Sequence, residues 1–422
     1  MKDIAKALLL WAATVLPTAL YAQSGNSPYS LSGLGELAPR ASLYSQAMGG
    51  VGISNSNPTT LNLTNPALLS RNSIMSFETA YFGEQKQLRS NELSRSYSYG
   101  NLGYLAFSFP IVPTRLTIAT GLQPYSTVNY KLIATNKLPF TPTFTEYRFQ
   151  GSGSLSQVFL SLGTSFFKRL HLGATANYNF GFVQTEIFSI LIDNQLTGGY
   201  TTGSFDRVNI SAFTYRLGGA YRQPIGKNKS INIGYITDLQ ANMNATRLQA
   251  IQRKNIVEEI ISSDTIFNSN VSKIFVPRHQ SFGISLEKQY AYTFAIDYSV
   301  QPWSMYRGIN QENLADAWRM SLGAEIIPNI TSLTSYFARV AYRAGGYYAL
   351  TPTVLNGRQI REFGINFGIA LPVSRTFSTA SLAATIGQRG TTENNLLKEN
   401  FFRLNIGLTV NDQYWFQKRK IN

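Results

Sequence analysis

Residues 170–182 read LHLGATANYNFGF and alternate without a break. Leu170, Leu172, Ala174, Ala176, Tyr178, Phe180 and Phe182 fall on one face of an extended chain. His171, Gly173, Thr175, Asn177, Asn179 and Gly181 fall on the other. One face is greasy and the other polar or small, which is the period of a strand with a single apolar side. The pattern returns downstream, where Trp318, Met320, Leu322, Ala324 and Ile326 alternate with Arg319, Ser321, Gly323 and Glu325. It returns again where Phe402, Leu404, Ile406, Leu408 and Val410 alternate with Arg403, Asn405, Gly407 and Thr409. Such strands suit either a soluble sandwich or a wall facing lipid.

The connections separate these alternatives. Tight turns are expected at 110–114, 167–170, 223–230, 287–290, 328–332 and 372–375, and between them lie longer polar stretches, the longest at 243–273. Short and long connections alternate along the chain, as in a membrane barrel with brief periplasmic turns and long outer loops. The count comes to about 14 strands, the first starting near residue 73 and the last near 398, so both termini are expected in the periplasm. The expected fold is therefore all-β, a closed transmembrane antiparallel β-barrel, because lipid offers no partner for an open strand edge. Several runs exceed the roughly 9 to 11 residues a tilted strand needs to cross a bilayer, so the wall should project beyond it. Trp303 and Trp318, which flank one long loop, are expected as aromatic anchors at the outer interface.

Composition narrows the function classes. The chain has 422 residues, 44% of them hydrophobic and 14% charged, so global disorder is excluded. Cysteine is absent, which removes disulfides, thiolate metal sites, catalytic thiols and a lipid-anchored cysteine. Residues 1–22, MKDIAKALLLWAATVLPTALYA, read as a cleavable secretory signal, with Lys2 and Lys6 before an apolar run broken by Pro17. No later stretch approaches the roughly 18 to 20 apolar residues of a helical span. The net charge of +15 is assigned to phosphates of outer-membrane lipids and lipopolysaccharide, since export leaves no role for nucleic acid. Only two histidines exist, His171 and His279, and neither has a carboxylate or serine at a diagnostic spacing. No catalytic, metal or cofactor-binding residue is therefore assigned, and no enzyme is expected. Asp297, Arg319, Glu325, Arg339, Arg343 and Glu362 are expected to form a mutually paired interior network.

A barrel of this width needs something to fill its lumen. Residues 23–72 are rich in Gly, Ser, Asn and Pro, with the runs AMGGVGIS (47–54) and NPALLS (65–70), and precede the barrel at 73–422. This arrangement resembles the FadL/TodX family of outer-membrane proteins that pass hydrophobic molecules, and the C-terminal run LNIGLTVNDQYWFQKRKIN is similar to the ends of Bacteroidetes members. The resemblance implies that residues 23–72 form a plug, or hatch, marked by Asn65, Pro66 and Ala67. It also implies a kinked third strand that releases a greasy ligand sideways into the bilayer. Gly121 and Pro124 sit where that strand should be paired, and either a lateral opening or a curvature-setting bulge would account for them. The 243–273 stretch is either an amphipathic helix or a hairpin continuing two strands upward. Two functions follow as expectations: passive transport of a hydrophobic small molecule, or a non-transporting accessory subunit of an outer-membrane protein assembly or secretion (type IX-like) complex.

Overall fold

A computed structural model describes residues 27–412, apart from 92–93, 138–143, 193–199, 256–257, 309–312 and 374–376. The signal assigned to 1–22 and the end of the C-terminal run lie outside the described residues. A two-residue strand, β1 (Glu36–Leu37), comes first in the chain. The wall is built from β2 (Met75–Arg89), β3 (Ser94–Val112), β4 (Leu116–Lys137), β5 (Phe144–Phe166), β6 (Leu170–Ile192) and β7 (Thr201–Gly226). It continues through β8 (Lys229–Asp238), β9 (Ala241–Lys254), β10 (Ile260–Val276), β11 (His279–Lys288), β12 (Tyr292–Gln301) and β13 (Ala317–Ile326). β14 (Ala341–Leu355), β15 (Arg358–Pro372), β16 (Thr379–Gly390) and β17 (Lys398–Asp412) complete it.

Each wall strand pairs antiparallel with its neighbour, and β17 pairs with β2 from Asp412↔Met75 to Lys398↔Arg89, closing the ring. β8 and β9 are halves of one strand bent at Leu239 and Gln240, and β10 and β11 are halves of another broken at Pro277 and Arg278. Counted this way the barrel has fourteen strands. The halves diverge because β7 pairs with β8 below Arg216 and with β9 above Ser211. The long stretch at 243–273 is thus a hairpin extension of the wall. Much of what the sequence presents as outer loop is paired strand, since β4 holds β5 as far as Lys137↔Phe144.

The alternating apolar residues face outward. Leu170, Leu172, Tyr178 and Phe180 on β6 are exposed, whereas His171, Thr175, Asn177 and Asn179 are buried inside. Tight turns such as 167–168 hold non-glycine residues at positive φ, Phe167 at 51° and Lys168 at 61°, which is the backbone of a type I′ hairpin whose twist matches its strands. One short-side connection is longer than its sequence suggests: β14 begins at Ala341 instead of near 334, after a 3-10 turn at Phe337–Arg339. The last described residue, Asp412, lies at the short-turn end beside Met75. Ser27, the first described residue, lies toward the long-loop side, where its amide donates to the Asn129 carbonyl and its hydroxyl to Glu399.

Candidate functional site

Residues 42–72, the floor, pack inside the barrel against inward-facing glycines of several wall strands. The Pro66 carbonyl abuts Gly163 and Gly173, Asn65 abuts Gly218, Ile53 abuts Gly234, and Met48 abuts Gly323 and Gly345. These glycines occupy inward positions on different strands, and a Cβ at any of them would collide with hatch backbone or side chain. A strand glycine ordinarily weakens pairing, and here it permits close backbone approach. The small face read from the sequence is therefore a seat.

Within the floor, Asn65 caps the 3-10 turn Pro66–Arg71. Its Oδ1 accepts from the Ala67 amide at 3.0 Å, and its Nδ2 donates to the Ile53 carbonyl at 2.7 Å and the Gly219 carbonyl at 3.3 Å. Pro66 follows because the first turn needs no amide hydrogen there. Arg71 donates both arms to Glu287 at 2.8 and 2.7 Å. Burial alone would lower the basicity of the Arg71 guanidinium, but Glu287 outweighs it and raises it above its ordinary value. Asp297, expected in an ion-pair network, instead accepts the Gly52 and Ile53 amides at 2.7 and 3.0 Å.

Residues 27–41 are held differently. β3 pairs with β4 from Val112↔Leu116 up to Leu105↔Leu122 and then stops, although both strands continue. Just above, the β4–β5 register shifts between Pro124 and Ser126, leaving Tyr125 unpaired with β5. Hatch strand β1 takes the vacated edge: Leu37 faces Ser126, Glu36 faces Thr127, and the Ala38 amide donates to the Tyr125 carbonyl at 2.9 Å. Gly121 and Pro124 thus flank a seam in the wall, filled by the chain's own N-terminal segment. Gly121 is not slack there, since a Cβ would strike the Leu105 carbonyl and the Phe159 ring.

Ion pairs pin that segment from across the lumen. Glu36 lies 2.9 Å from Lys86 and 2.8 Å from Arg389, and Arg389 also binds Glu362 at 2.7 Å. Burial would raise the Glu36 carboxyl, but Arg389 and Lys86 outweigh it and hold it well below the usual carboxylate range. Arg40 lies 2.5 Å from Asp238, which Arg216 also binds. Of the network read from sequence, Arg343 pairs with Glu325 at 2.7 Å, Arg319 stacks on Tyr347 and donates to the Gly49 carbonyl, and Arg339 lies in the 327–340 turn over Tyr336. Lys86 and Arg389 escaped that reading because each lies at the outer end of a strand that looks like loop, whereas Arg403, which pairs with Glu84, was placed on the polar face of its strand without a partner.

Above the floor lies a cavity of about 340 Å³, bordered by Glu36, Arg40, Arg319, Tyr347 and Trp303 among others. Beside it an apolar cluster joins Leu34 and Tyr125 at the seam to Leu155, Ile210, Met243 and Trp303. Trp303, expected at the membrane interface, is only 4% exposed and packs on Tyr306 inside this cluster, because the turn after Pro302 brings it inward. Trp318 is on the outer face between Tyr298 and Tyr348. Ser70 and His171 share a 2.7 Å hydrogen bond, but the other ring nitrogen has no partner, so no triad is assembled.

The model of a family described as BamG matches residues 4–422. No curated protein sequence matches the chain. Among solved structures, the Pseudomonas putida toluene transporter TodX is 14% identical with a TM-score of 0.57, covering 90% of this chain and 99% of its own. The Ralstonia pickettii toluene transporter TbuX is 13% identical with a TM-score of 0.57, covering 90% and 99%. The CymD monoaromatic hydrocarbon channel is 14% identical with a TM-score of 0.55, covering 90% and 98%. At these identities the likeness is one of fold.

Proposed function

The chain belongs to the BamG family and has the FadL-like outer-membrane barrel fold, and from that premise we propose that it passes hydrophobic small molecules passively, releasing them sideways between β3 and β4. The observation that carries this reading is the seam above Leu105↔Leu122, where wall pairing ends beside an apolar cluster and the N-terminal segment, through β1 and residues 27–31, covers the edge of β4. An apolar ligand in that cluster gains by leaving into lipid, because returning each methylene to water costs about 0.8 kcal/mol. Movement of residues 27–38 away from β4 would open the path while the floor stays seated. The solved channels of this fold are named for toluene and monoaromatic hydrocarbons, which suits the same class of cargo here.

The test uses the absence of native cysteine. Leu37→Cys with Ser126→Cys places two thiols at a cross-strand pair, whose spacing admits a disulfide. Oxidation should abolish uptake of a hydrophobic probe into proteoliposomes, and reduction should restore it. Equal uptake by the oxidised and reduced forms would reject the seam as the route.

A second reading, the accessory subunit of an assembly or secretion complex, is favoured by the ion-paired, polar character of the lumen beside the seam. Stoichiometric recovery with a large outer-membrane complex in mild detergent, together with no probe uptake, would establish it over transport.

A further inference from the structure

At the short-turn rim, β8 and β11 end in a cross-strand pair of like charge: Lys288 lies directly opposite Lys229. Both side chains fall on the outward parity of the wall. The next outward pair above them is Ile231↔Leu286 and the one above that is Ile233↔Ile284, all four exposed on the lipid-facing surface. Lys227 stands on the adjoining turn and is also exposed. The two turns are tied together by the Gln289 amide, which donates to the Asn228 carbonyl at 3.1 Å. Tyr292, opposite Lys288 on β12, completes the outward edge.

Directly opposed like charges destabilise a sheet unless something neutralises them. No carboxylate of a described residue pairs with them. Glu287, the adjacent acid, points into the lumen, where Arg71 binds it. None of Lys227, Lys229 or Lys288 forms an ion pair with a described residue. Two ammonium groups at the foot of a greasy ladder, beside a tyrosine, sit at the depth where lipid phosphates lie.

We propose that Lys229 and Lys288, with Lys227, bind the phosphate of an anionic glycerophospholipid in the inner leaflet, whose acyl chains lie along Ile231, Ile233, Ile284 and Leu286. The occupant is a lipid and not a free anion, because the apolar residues continue without interruption above the two amines. The site does not depend on transport, and would serve a channel and a complex subunit alike.

Native mass spectrometry and thermal melting of the detergent-solubilised full chain test it, with phosphatidylglycerol, phosphatidylcholine and inorganic phosphate as probes. Phosphatidylglycerol should bind and raise the melting temperature more than phosphatidylcholine does. Lys229→Gln with Lys288→Gln should weaken phosphatidylglycerol by about thirtyfold, equivalent to about 1 kcal/mol for each lysine. Lys229→Glu, which builds a cross-strand ion pair with Lys288, should melt higher without lipid and lose the phosphatidylglycerol increment. The site is refuted if the double variant binds phosphatidylglycerol as the parent does, or if the parent does not prefer it to phosphatidylcholine. Equal stabilisation by inorganic phosphate would mean an adventitious ion only, which also overturns the proposal.

Discussion

Residues 42–72 and residues 27–41 occupy one lumen but are retained by different physics. The first stretch is wedged backbone-deep into wall glycines, and its polar groups are spent on fixed partners such as Asp297 and Glu287. The second lies along a strand edge and is held by charges, Glu36 to Lys86 and Arg389, and Arg40 to Asp238. Steric seating cannot be exchanged for water, whereas an ion pair can, since each partner regains hydration when it separates. The floor is therefore held chiefly by close contact with the wall, and residues 27–41, the strap, by ion pairs and by pairing along the β4 edge; release of the strap from a seated floor is what the proposed lateral route requires.

The sharpest way to break that contrast is to spoil a seat. At Gly173 an added Cβ would collide with the Ala67 amide and the Pro66 carbonyl, both backbone of the floor, so neither can swing aside. Gly173→Val should cost about 3 kcal/mol, the upper part of the usual overpacking range. The barrel wall does not need the floor for its own pairing, so planar-bilayer conductance should rise while heat-modifiable mobility on gels stays that of a folded barrel. Parental conductance from a folded variant would show that the floor does not depend on the seats.

Next in size is the strap. Glu36→Gln removes both of its ion pairs and leaves Lys86 with Glu84 at 3.8 Å as its remaining acid. A loss of about 2 kcal/mol is expected, below the 3–5 kcal/mol typical of a broken buried pair because Lys86 keeps that neighbour. Amide exchange at 36–38 and 125–127 should accelerate about thirtyfold, with exchange in 66–71 unchanged. The pH response follows from the sign of the shift. The folded-state carboxyl is depressed, so its contribution is present above the unfolded carboxylate range and is lost only as pH falls through the depressed value. Strap protection should therefore persist at pH 5 in the parent and fade in stronger acid, and Glu36→Gln should lack that acid limb. Equal acceleration in 66–71 would mean that floor and strap open as one unit.

How much of this was legible beforehand depends on the range over which the information acts. The barrel follows from period two and from connection lengths, both local, and the start of strand β6 could be placed at Leu170. Asn65 and Pro66 were marked through the family resemblance, and the structure shows a local reason for the pair, a cap followed by a first-turn proline. The seats could not be placed. Gly173 and Gly345 look like any small residue on an inward face, and what they receive comes from far earlier in the chain. Trp303 misled for a related reason: its identity suggests an interface anchor, while the 3-10 turn after Pro302 decides its direction. Gly121 and Pro124 lie on β4 beside the point where its pairing with β3 ends, but that end at Leu122 and the pairing of β1 with β4 are tertiary facts.

The smallest expected effect is a coupling near zero, and it gives the most stringent check on whether floor and strap are separate. Asn65→Ala deletes the cap to Ala67 and the donor to Ile53 within the floor and to Gly219 on β7, and should cost about 1 kcal/mol. Asn65→Asp keeps the acceptor but sets a buried carboxylate oxygen against the Ile53 and Gly219 carbonyls, so it should cost more than Asn65→Ala. Combined with Glu36→Gln, either change should be additive to within about 0.5 kcal/mol, as is usual for sites without shared partners. Asn65 bonds to Ala67, Ile53 and Gly219, whereas Glu36 bonds to Lys86 and Arg389, and no residue appears in both sets. A coupling above about 1 kcal/mol in denaturant midpoints would place both residues in one cooperative unit. The strap could then not leave β4 without lifting the floor, and lateral release past a seated hatch would be excluded.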